Sequence, residues 1–122
     1  MENISIEDMK QMQFELYEKN KQQWKNMQPQ YAKDYLLYMV EEMGEAIAII
    51  KKQGIDAIMQ DEKVRTRFVE EFCDVLMYYV EVLNRLHISS EELTKAYKAK
   101  HEINLNRDYV QERKDKIGNI EK

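Results

Sequence analysis

The chain contains few of the residues that interrupt helices. Only three glycines and one proline occur among its 122 residues. Because these two residue types are the least favourable in a helix interior, their scarcity leaves long stretches in which a helix can continue. Glutamate, lysine, glutamine, methionine and leucine are abundant instead. The composition therefore favours an all-α fold.

Other absences exclude whole classes of protein. Cys73 is the only cysteine, which excludes an intramolecular disulfide and a cysteine-rich zinc site. It lies in an apolar run after Phe72, where we expect a buried core thiol rather than a nucleophile. No apolar run has transmembrane length, and residues 1–3 do not form the basic start of a signal peptide. We therefore expect a cytoplasmic protein without a membrane partner.

The charge is mild and the chain is short. The net charge of −4 comes without a basic block, so we expect no nucleic-acid partner. A hydrophobic fraction of 43% argues against disorder. The length predicts a single domain over residues 1–122, frayed from about Ile117. A monomer of this size would be a thin bundle.

Hydrophobic periodicity and capping residues predict four main helices. Ser5 with Asp8 is a candidate N-terminal capping box, and Gly54 is a candidate C-terminal stop. Between the second and third helices, residues 55–62 are predicted to form a turn or a short helix. The predicted fold is therefore a bundle of four to five helices. The predicted bounds of the main helices are about 6–25, 30–53, 62–86 and 90–114.

Two of these helices have apolar stripes at steps of three and four, which predicts that the stripes form the core. The stripe of the second helix consists of Leu36, Val40, Met43, Ile47 and Ile50. The stripe of the third consists of Phe68, Phe72, Val75, Tyr79, Val82 and Leu86. Gly44 lies inside the second helix, where it costs about 1 kcal/mol relative to alanine, so we expect close packing there.

The same two helices each carry a pair of acidic residues three positions apart, Glu42 with Glu45 and Glu71 with Asp74. Residues at this spacing project from one face of a helix. Two such helices side by side would gather four carboxylates, whose repulsion is severe unless a cation neutralises it. Clustered carboxylate oxygens suit Mg²⁺ and also Mn²⁺. We therefore predict a metal site that handles phosphates.

Two further acids precede these pairs. Glu41 and Glu70 do not share a face with their neighbours, and one of them is a candidate for orienting or deprotonating a metal-bound water. The alternative is that acid pairs of this kind merely lie on solvated helix faces, and one pair alone carries no signal. A carboxylate-bridged di-iron bundle is a weaker alternative, because it needs Glu-x-x-His pairs and this chain has none.

A cationic strip lies in the fourth predicted helix. Lys100, Asn104 and Arg107 follow one another at steps of four and three, and so share one face. Lysine and arginine are natural partners of phosphate oxygens, and asparagine can bridge a phosphate, a sugar hydroxyl or a base edge. The alternative is a solvated charged face.

Three aromatic residues are candidates for stacking on a base: Trp24, Tyr78 and Tyr97. Tyr78 is the best placed of the three, because it follows Asp74 by one helical turn. For Trp24 and Tyr97, a role in the hydrophobic core is an equal alternative.

The two acidic segments resemble a known signature. Residues 41–45 read Glu-Glu-Met-Gly-Glu, and after 25 residues the segment 71–74 reads Glu-Phe-Cys-Asp. This resembles the EExxE…ExxD signature of the all-α nucleoside triphosphate pyrophosphohydrolases, which include MazG-type proteins, dimeric dUTPases and dCTP pyrophosphatases. The resemblance covers about residues 15–110.

Other residues add to the resemblance. Trp24 resembles a nucleotide-pocket tryptophan, and Tyr78 a base-stacking tyrosine, of the dCTP pyrophosphatase branch. Lys100, Asn104 and Arg107 resemble a phosphate-contacting segment of dUTPase-like and MazG-like members. After Arg107 the chain departs from the dimeric dUTPases, so the resemblance leaves the preferred base open.

The resemblance implies Mg²⁺-dependent cleavage between the α- and β-phosphates of a (d)NTP, which releases a nucleoside monophosphate and pyrophosphate in nucleotide-pool cleaning. The implied reaction is metal-assisted attack of water at phosphorus. The resemblance also implies a homodimer or homotetramer whose core is completed by a partner's helices. The metal ligands that it implies are Glu42, Glu45, Glu71 and Asp74.

A hypothesis from another class stays open beside this one. The chain could be a non-catalytic helical module that keeps the metal site but only binds nucleotides or a protein partner. Binding of a nonhydrolysable nucleotide without turnover would distinguish such a module from the hydrolase.

Overall fold

A computed structural model describes residues 2–121, and the side chains of residues 2–118. The described residues contain α-helices, one 3₁₀ turn and no strand, which confirms the predicted all-α class. The 3₁₀ turn covers Pro29–Tyr31. The helices are α1 (Ile6–Asn20), α2 (Ala32–Gln53), α3 (Ile55–Gln60), α4 (Glu62–Arg85), α5 (Ser90–Leu105) and α6 (Tyr109–Glu121).

Local capping residues set several helix ends, and those at Ser5 and Gly54 were predicted from the sequence. The Ser5 hydroxyl accepts from the Asp8 amide, and the Asp8 carboxylate accepts from the Ser5 amide, each at 3.0 Å. Gly54 ends α2 with φ +86°, a backbone conformation that favours glycine. Asp61 caps α4 by accepting from the amides of Lys63 and Val64.

Two predicted helices are shorter or broken. The helix α1 ends at Asn20 instead of near residue 25, because the backbone of residues 25–27 bonds to the side chains of Arg85 in α4 and Tyr17 in α1. The fourth predicted helix divides into α5 and α6. At this break the Asn106 side chain donates from Nδ2 to the Glu102 carbonyl, and the Asp108 carboxylate accepts from the Gln111 backbone amide as a new N-cap.

The chain divides into two compact units, Met1–Ser90 and Glu91–Lys122. In the first unit α2, α1 and α3 each pack against α4. The helices α2 and α4 are antiparallel: Tyr35, early in α2, contacts Tyr78, late in α4, at 6.2 Å between ring centroids. The second unit contains most of α5 and all of α6. That residues 1–122 form a single domain, frayed from Ile117, stays a prediction.

The core of the first unit is small. One buried cluster joins the start of α2 to the end of α4 through Ala32, Tyr35 and Val82. Two charged residues of α4, Glu81 and Arg85, are also fully buried in this unit. None of the helices in the described part of the chain is long and apolar enough to cross a membrane.

The predicted core stripes lie largely outside this core. Val40 and Ile47 of α2 are 60% and 54% exposed, and Phe72 of α4 is 60% exposed. The packed side of α2 instead presents residues such as Ala46 and Ile49. Four of the five stripe residues of α2 and three of the six of α4 are exposed, so the prediction that these stripes form the core was wrong for those residues within this chain. Val82 of the α4 stripe does lie in the buried cluster.

Two local expectations, at Cys73 and at Gly44, were also wrong. Cys73 lies on the outward apolar face and is exposed rather than buried. At Gly44 an added Cβ would meet nothing within 4 Å, so no close packing within the chain explains this glycine.

Candidate functional site

Three of the predicted metal ligands meet between α2 and α4. Carboxylate oxygens of Glu42, Glu45 and Glu71 all lie within 4.8 Å of one another. Asp74 lies one turn further along α4, and its charge acts on Glu45. The antiparallel packing of the two helices, together with the spacing of three within each pair, produces this cluster.

The charges of the cluster are poorly compensated by protein groups. A hydrogen bond to Glu71 and the negative charge of Glu71 raise the pKa of Glu45, and the charge of Asp74 adds to the effect. One oxygen of Glu71, Oε2, is buried without a hydrogen-bond partner. Such an oxygen among other carboxylates fits a divalent cation, and an all-oxygen set of ligands suits Mg²⁺ or Mn²⁺.

A cleft of about 510 Å³ adjoins these carboxylates. Glu42 and Asp74 lie in its wall, and the predicted aromatic residues Trp24 and Tyr78 also line it. The structure thus brings together side chains from the α1–α2 loop, α2 and α4 that are far apart in the sequence. The combination offers aromatic surface to a base and oxygen ligands to a cation at one place.

Three tyrosines that contact one another line the cleft. The ring centroids of Tyr35 and Tyr38 are 5.4 Å apart, and those of Tyr38 and Tyr78 are 5.8 Å apart. Burial raises the pKa of Tyr78, and the charges of Glu42 and Asp74 raise it further. The hydroxyl of Tyr78 therefore stays protonated. Sequence reasoning missed Tyr35 and Tyr38, although both precede Glu42 at helical spacing.

Lys25 is a cation in this cleft that sequence reasoning also missed. Its Nζ lies 2.5 Å from Asp34 Oδ2, 3.4 Å from the Tyr38 hydroxyl and 5.6 Å from the Tyr38 ring centroid. The hydrogen bond to Asp34 raises the pKa of Lys25, so the ammonium stays charged. The signal available in the sequence was its position directly after Trp24.

A buried arginine anchors the loop that carries Trp24. The Arg85 guanidinium donates to Glu81 Oε1 at 2.9 Å, to the Lys25 carbonyl at 2.9 Å and to the Asn26 carbonyl. It also donates to the Tyr35 hydroxyl at 3.1 Å, and it lies 4.1 Å from the ring centroid of Tyr35. These contacts attach the loop to α4. No role for Glu81 or Arg85 was predicted from the sequence.

The other predicted site residues lie outside this cleft. Glu41 and Glu70 are exposed, and the charge of Glu41 contributes to the raised pKa of Tyr78. Their roles beside a metal-bound water stay predictions.

The cationic strip belongs to the second unit. Lys100 is exposed on α5, and Arg107 donates to Asn104 Oδ1 at 3.4 Å. Arg107 also forms an ion pair with Glu112 at 2.9 Å, which raises the pKa of Arg107. Tyr97 is 75% exposed. That this strip contacts phosphates stays a prediction.

The clustered carboxylates suit a divalent cation, and the adjoining cleft offers aromatic surface to a base. In comparison with known families, the sequence model of the dATP/dGTP pyrophosphohydrolase family matches residues 65–120, which is somewhat less than half of the chain. The match supports a nucleoside triphosphate pyrophosphohydrolase family, and thus a hydrolase. It includes Glu71 and Asp74 but not the first acidic pair. Searches of curated proteins and of solved structures gave no match.

Proposed function

We propose that the protein is a Mg²⁺-dependent nucleoside triphosphate pyrophosphohydrolase of the MazG-like and dUTPase-like superfamily. It converts a (d)NTP and water into a (d)NMP and pyrophosphate. The observation that carries this proposal is the contact between the Glu42–Glu45–Glu71 cluster and the cleft lined by Trp24 and Tyr78. In this proposal the protein clears unwanted nucleotides from the cytoplasmic pool.

The proposal gives each group a task. Glu42, Glu45, Glu71 and Asp74 hold the divalent cation. When bound, this cation neutralises phosphate charge and polarises the P–O bonds. Trp24 and Tyr78 stack on the base, and Lys25 supplies a positive charge at the same cleft.

Two sets of residues keep their predicted tasks within the proposal. Glu41 or Glu70 orients the attacking water. The strip of Lys100, Asn104 and Arg107 contacts phosphate oxygens. Because these reactions depend mainly on positioning and charge neutralisation, the loss of one such group lowers the rate without changing the products.

The matched family suggests which substrates to test first. The description of that family names dATP and dGTP, so purine deoxynucleoside triphosphates are the first substrates to test. Incubation of the purified chain with Mg²⁺ and each (d)NTP, followed by measurement of pyrophosphate, tests the proposal. If folded protein releases pyrophosphate from none of them, the hydrolase proposal is wrong. Tight binding of an α,β-imido nucleotide without turnover would support the alternative of a binding module.

We also propose that a second copy of the chain covers the outward apolar face of α2 and α4, which gives a homodimer or homotetramer. A depression of about 500 Å³ on this face is lined entirely by apolar side chains and Cys73. Soluble monomers rarely leave such a surface in water. The residues that line the depression are Met39, Phe68, Val69, Phe72, Cys73, Val75, Leu76 and Tyr79.

A further inference from the structure

A second polar pocket lies against the carboxylate cluster. It has a volume of about 210 Å³ and contains two of the carboxylates, Glu45 and Glu71, together with Lys52 and Arg67. Lys52 follows Glu45 by seven residues on α2, and Arg67 precedes Glu71 by four on α4. Both spacings keep the members of a pair on one helix face. Because α2 and α4 are antiparallel, both cations lie at the same end of the cluster.

The two cations are available to a ligand. Lys52 and Arg67 are exposed, and among residues 2–118 neither has an ion-pair partner or a hydrogen-bond partner. The pocket therefore contains two positive charges that are not tied to Glu45 or Glu71. Lysine and arginine in such a position suit phosphate oxygens.

The carboxylate cluster thus separates two chemically different pockets. Glu42 and Asp74 face the aromatic cleft, whereas Glu45 and Glu71 face the pocket with Lys52 and Arg67. Along the helix pair the order is aromatic surface, carboxylates, cations. All of these groups belong to the first compact unit. A nucleoside triphosphate has the same order of chemical groups: a base, then the phosphate to be attacked, then two more phosphates.

We propose that Lys52 and Arg67 bind the β- and γ-phosphates of the substrate, and hence the pyrophosphate that leaves. This inference rests on the proposed function. It fixes the direction of the substrate, with the nucleoside in the aromatic cleft and the terminal phosphates beyond the carboxylates.

The movement of bonds and charge in the proposed reaction explains why cations are needed beside the terminal phosphates. The water oxygen forms a bond to the α-phosphorus, and the bond from that phosphorus to the α–β bridging oxygen breaks. The bridging oxygen leaves with the bonding electron pair as part of pyrophosphate, and the protons of the water are shared between products and solvent. Negative charge therefore grows on the leaving group, where Lys52 and Arg67 stabilise it by charge-assisted hydrogen bonds.

Calorimetric titration of the full chain with pyrophosphate in the presence of Mg²⁺ tests this site directly. We expect Lys52→Gln and Arg67→Gln each to weaken pyrophosphate binding about tenfold or more, since each loses a hydrogen bond to a charged group. The matched controls Lys51→Gln and Arg65→Gln remove a neighbouring charge on the same helices and should bind as the wild type does. Affinity for a nucleoside monophosphate should stay unchanged in all four variants.

Conservative variants separate binding from structure. Lys52→Arg and Arg67→Lys should keep most of the affinity for pyrophosphate. The proposal is overturned if the wild type does not bind pyrophosphate, if the control variants lose as much affinity as the test variants, or if only Lys100→Gln loses it. Failure of the proposed function is a separate result, because it is measured as absence of pyrophosphate release from every (d)NTP.

Discussion

At the scale of single residues, the cluster of Glu42, Glu45 and Glu71 brings like charges close together. Its carboxylates crowd together within 4.8 Å, and crowding favours the protonated form of Glu45. A group of this kind works against folding when it ionises without a cation. The spacing of three in each acidic segment predicted that the pairs share helix faces, but only the packing of α2 on α4 brings Glu71 to Glu45.

The raised pKa of Glu45 predicts a pH dependence of stability. In the native state this carboxyl holds its proton to higher pH than in the unfolded chain, so the native state binds more protons between the two pKa values. The free energy of unfolding of metal-free protein should therefore fall as the pH rises from the ordinary carboxyl pKa of about 4.5 through the raised value. Glu45→Gln should remove this part of the decrease.

Urea unfolding in a chelating buffer at a series of pH values measures this effect. Glu41→Gln is the matched control, because Glu41 is exposed and lies outside the cluster. Addition of Mg²⁺ should stabilise the wild type but not Glu45→Gln. Identical pH profiles for wild type and Glu45→Gln would contradict the prediction.

The buried pair Glu81–Arg85 supports a second prediction at this scale. Both side chains are fully buried, and Arg85 also attaches the loop with Trp24. Arg85→Met should cost about 3–5 kcal/mol of stability, because it leaves the Glu81 charge buried without its partner. The double variant Glu81→Leu, Arg85→Met should recover part of this loss.

Fluorescence distinguishes the structural role of Arg85 from its role in placing the loop. Trp24 is the only tryptophan, so its emission reports on this loop alone. We expect a red shift of the native emission in both the single and the double variant, because the loop is released in each. Unchanged emission in the stable double variant would contradict the anchoring role.

At the scale of helices, local sequence signals predicted most helix ends, and tertiary contacts decided the others. Gly54 ends α2 because glycine accepts a positive φ, and this signal is readable from the chain. By contrast, α1 stops at Asn20 because Arg85 and Tyr17 bind the backbone of residues 25–27. No local pattern reports a partner that lies about 60 residues away in the sequence.

Gly54 allows a direct test of this local signal. Gly54→Ala should lower the free energy of unfolding by about 1 kcal/mol or more, because alanine is strained at φ +86° although nothing lies within 4 Å of the new Cβ. Gln53→Ala, one residue earlier in the last turn of α2, should change stability by less than about 0.5 kcal/mol. Equal effects of the two substitutions in urea unfolding would show that the backbone conformation of residue 54 does not matter.

At the scale of the whole molecule, the main feature is the exposed apolar face of α2 and α4. Val40, Ile47 and Phe72 lie outward, although their periodicity predicted a core. Hydrophobic periodicity reports which face of a helix avoids water, but it does not say whether the covering surface comes from the same chain. The exposed apolar stripes, and the thin bundle that a monomer of this size would form, together favour a core shared between copies of the chain.

This proposed homo-oligomer predicts the effect of a charge on the face. Phe72→Glu should convert the oligomer to a monomer, because burial of an unpaired carboxylate at the interface is costly. Tyr97→Glu is a suitable control, since Tyr97 is 75% exposed on the second unit. Sedimentation velocity of both variants and the wild type measures the result. A monomeric wild type would refute the homo-oligomer and leave the metal site unaffected.

The sequence by itself determined the all-α class, most helix ends and the pairing of acids on two helix faces, because these depend on residues within a few positions of one another. The tertiary structure alone decided that three carboxylates of α2 and α4 converge, that Arg85 draws the Trp24 loop to the cleft, and that the bulky stripes face outward. Those outcomes depend on contacts between residues distant in the chain, and a periodic pattern fixes the face of a helix without fixing its partner.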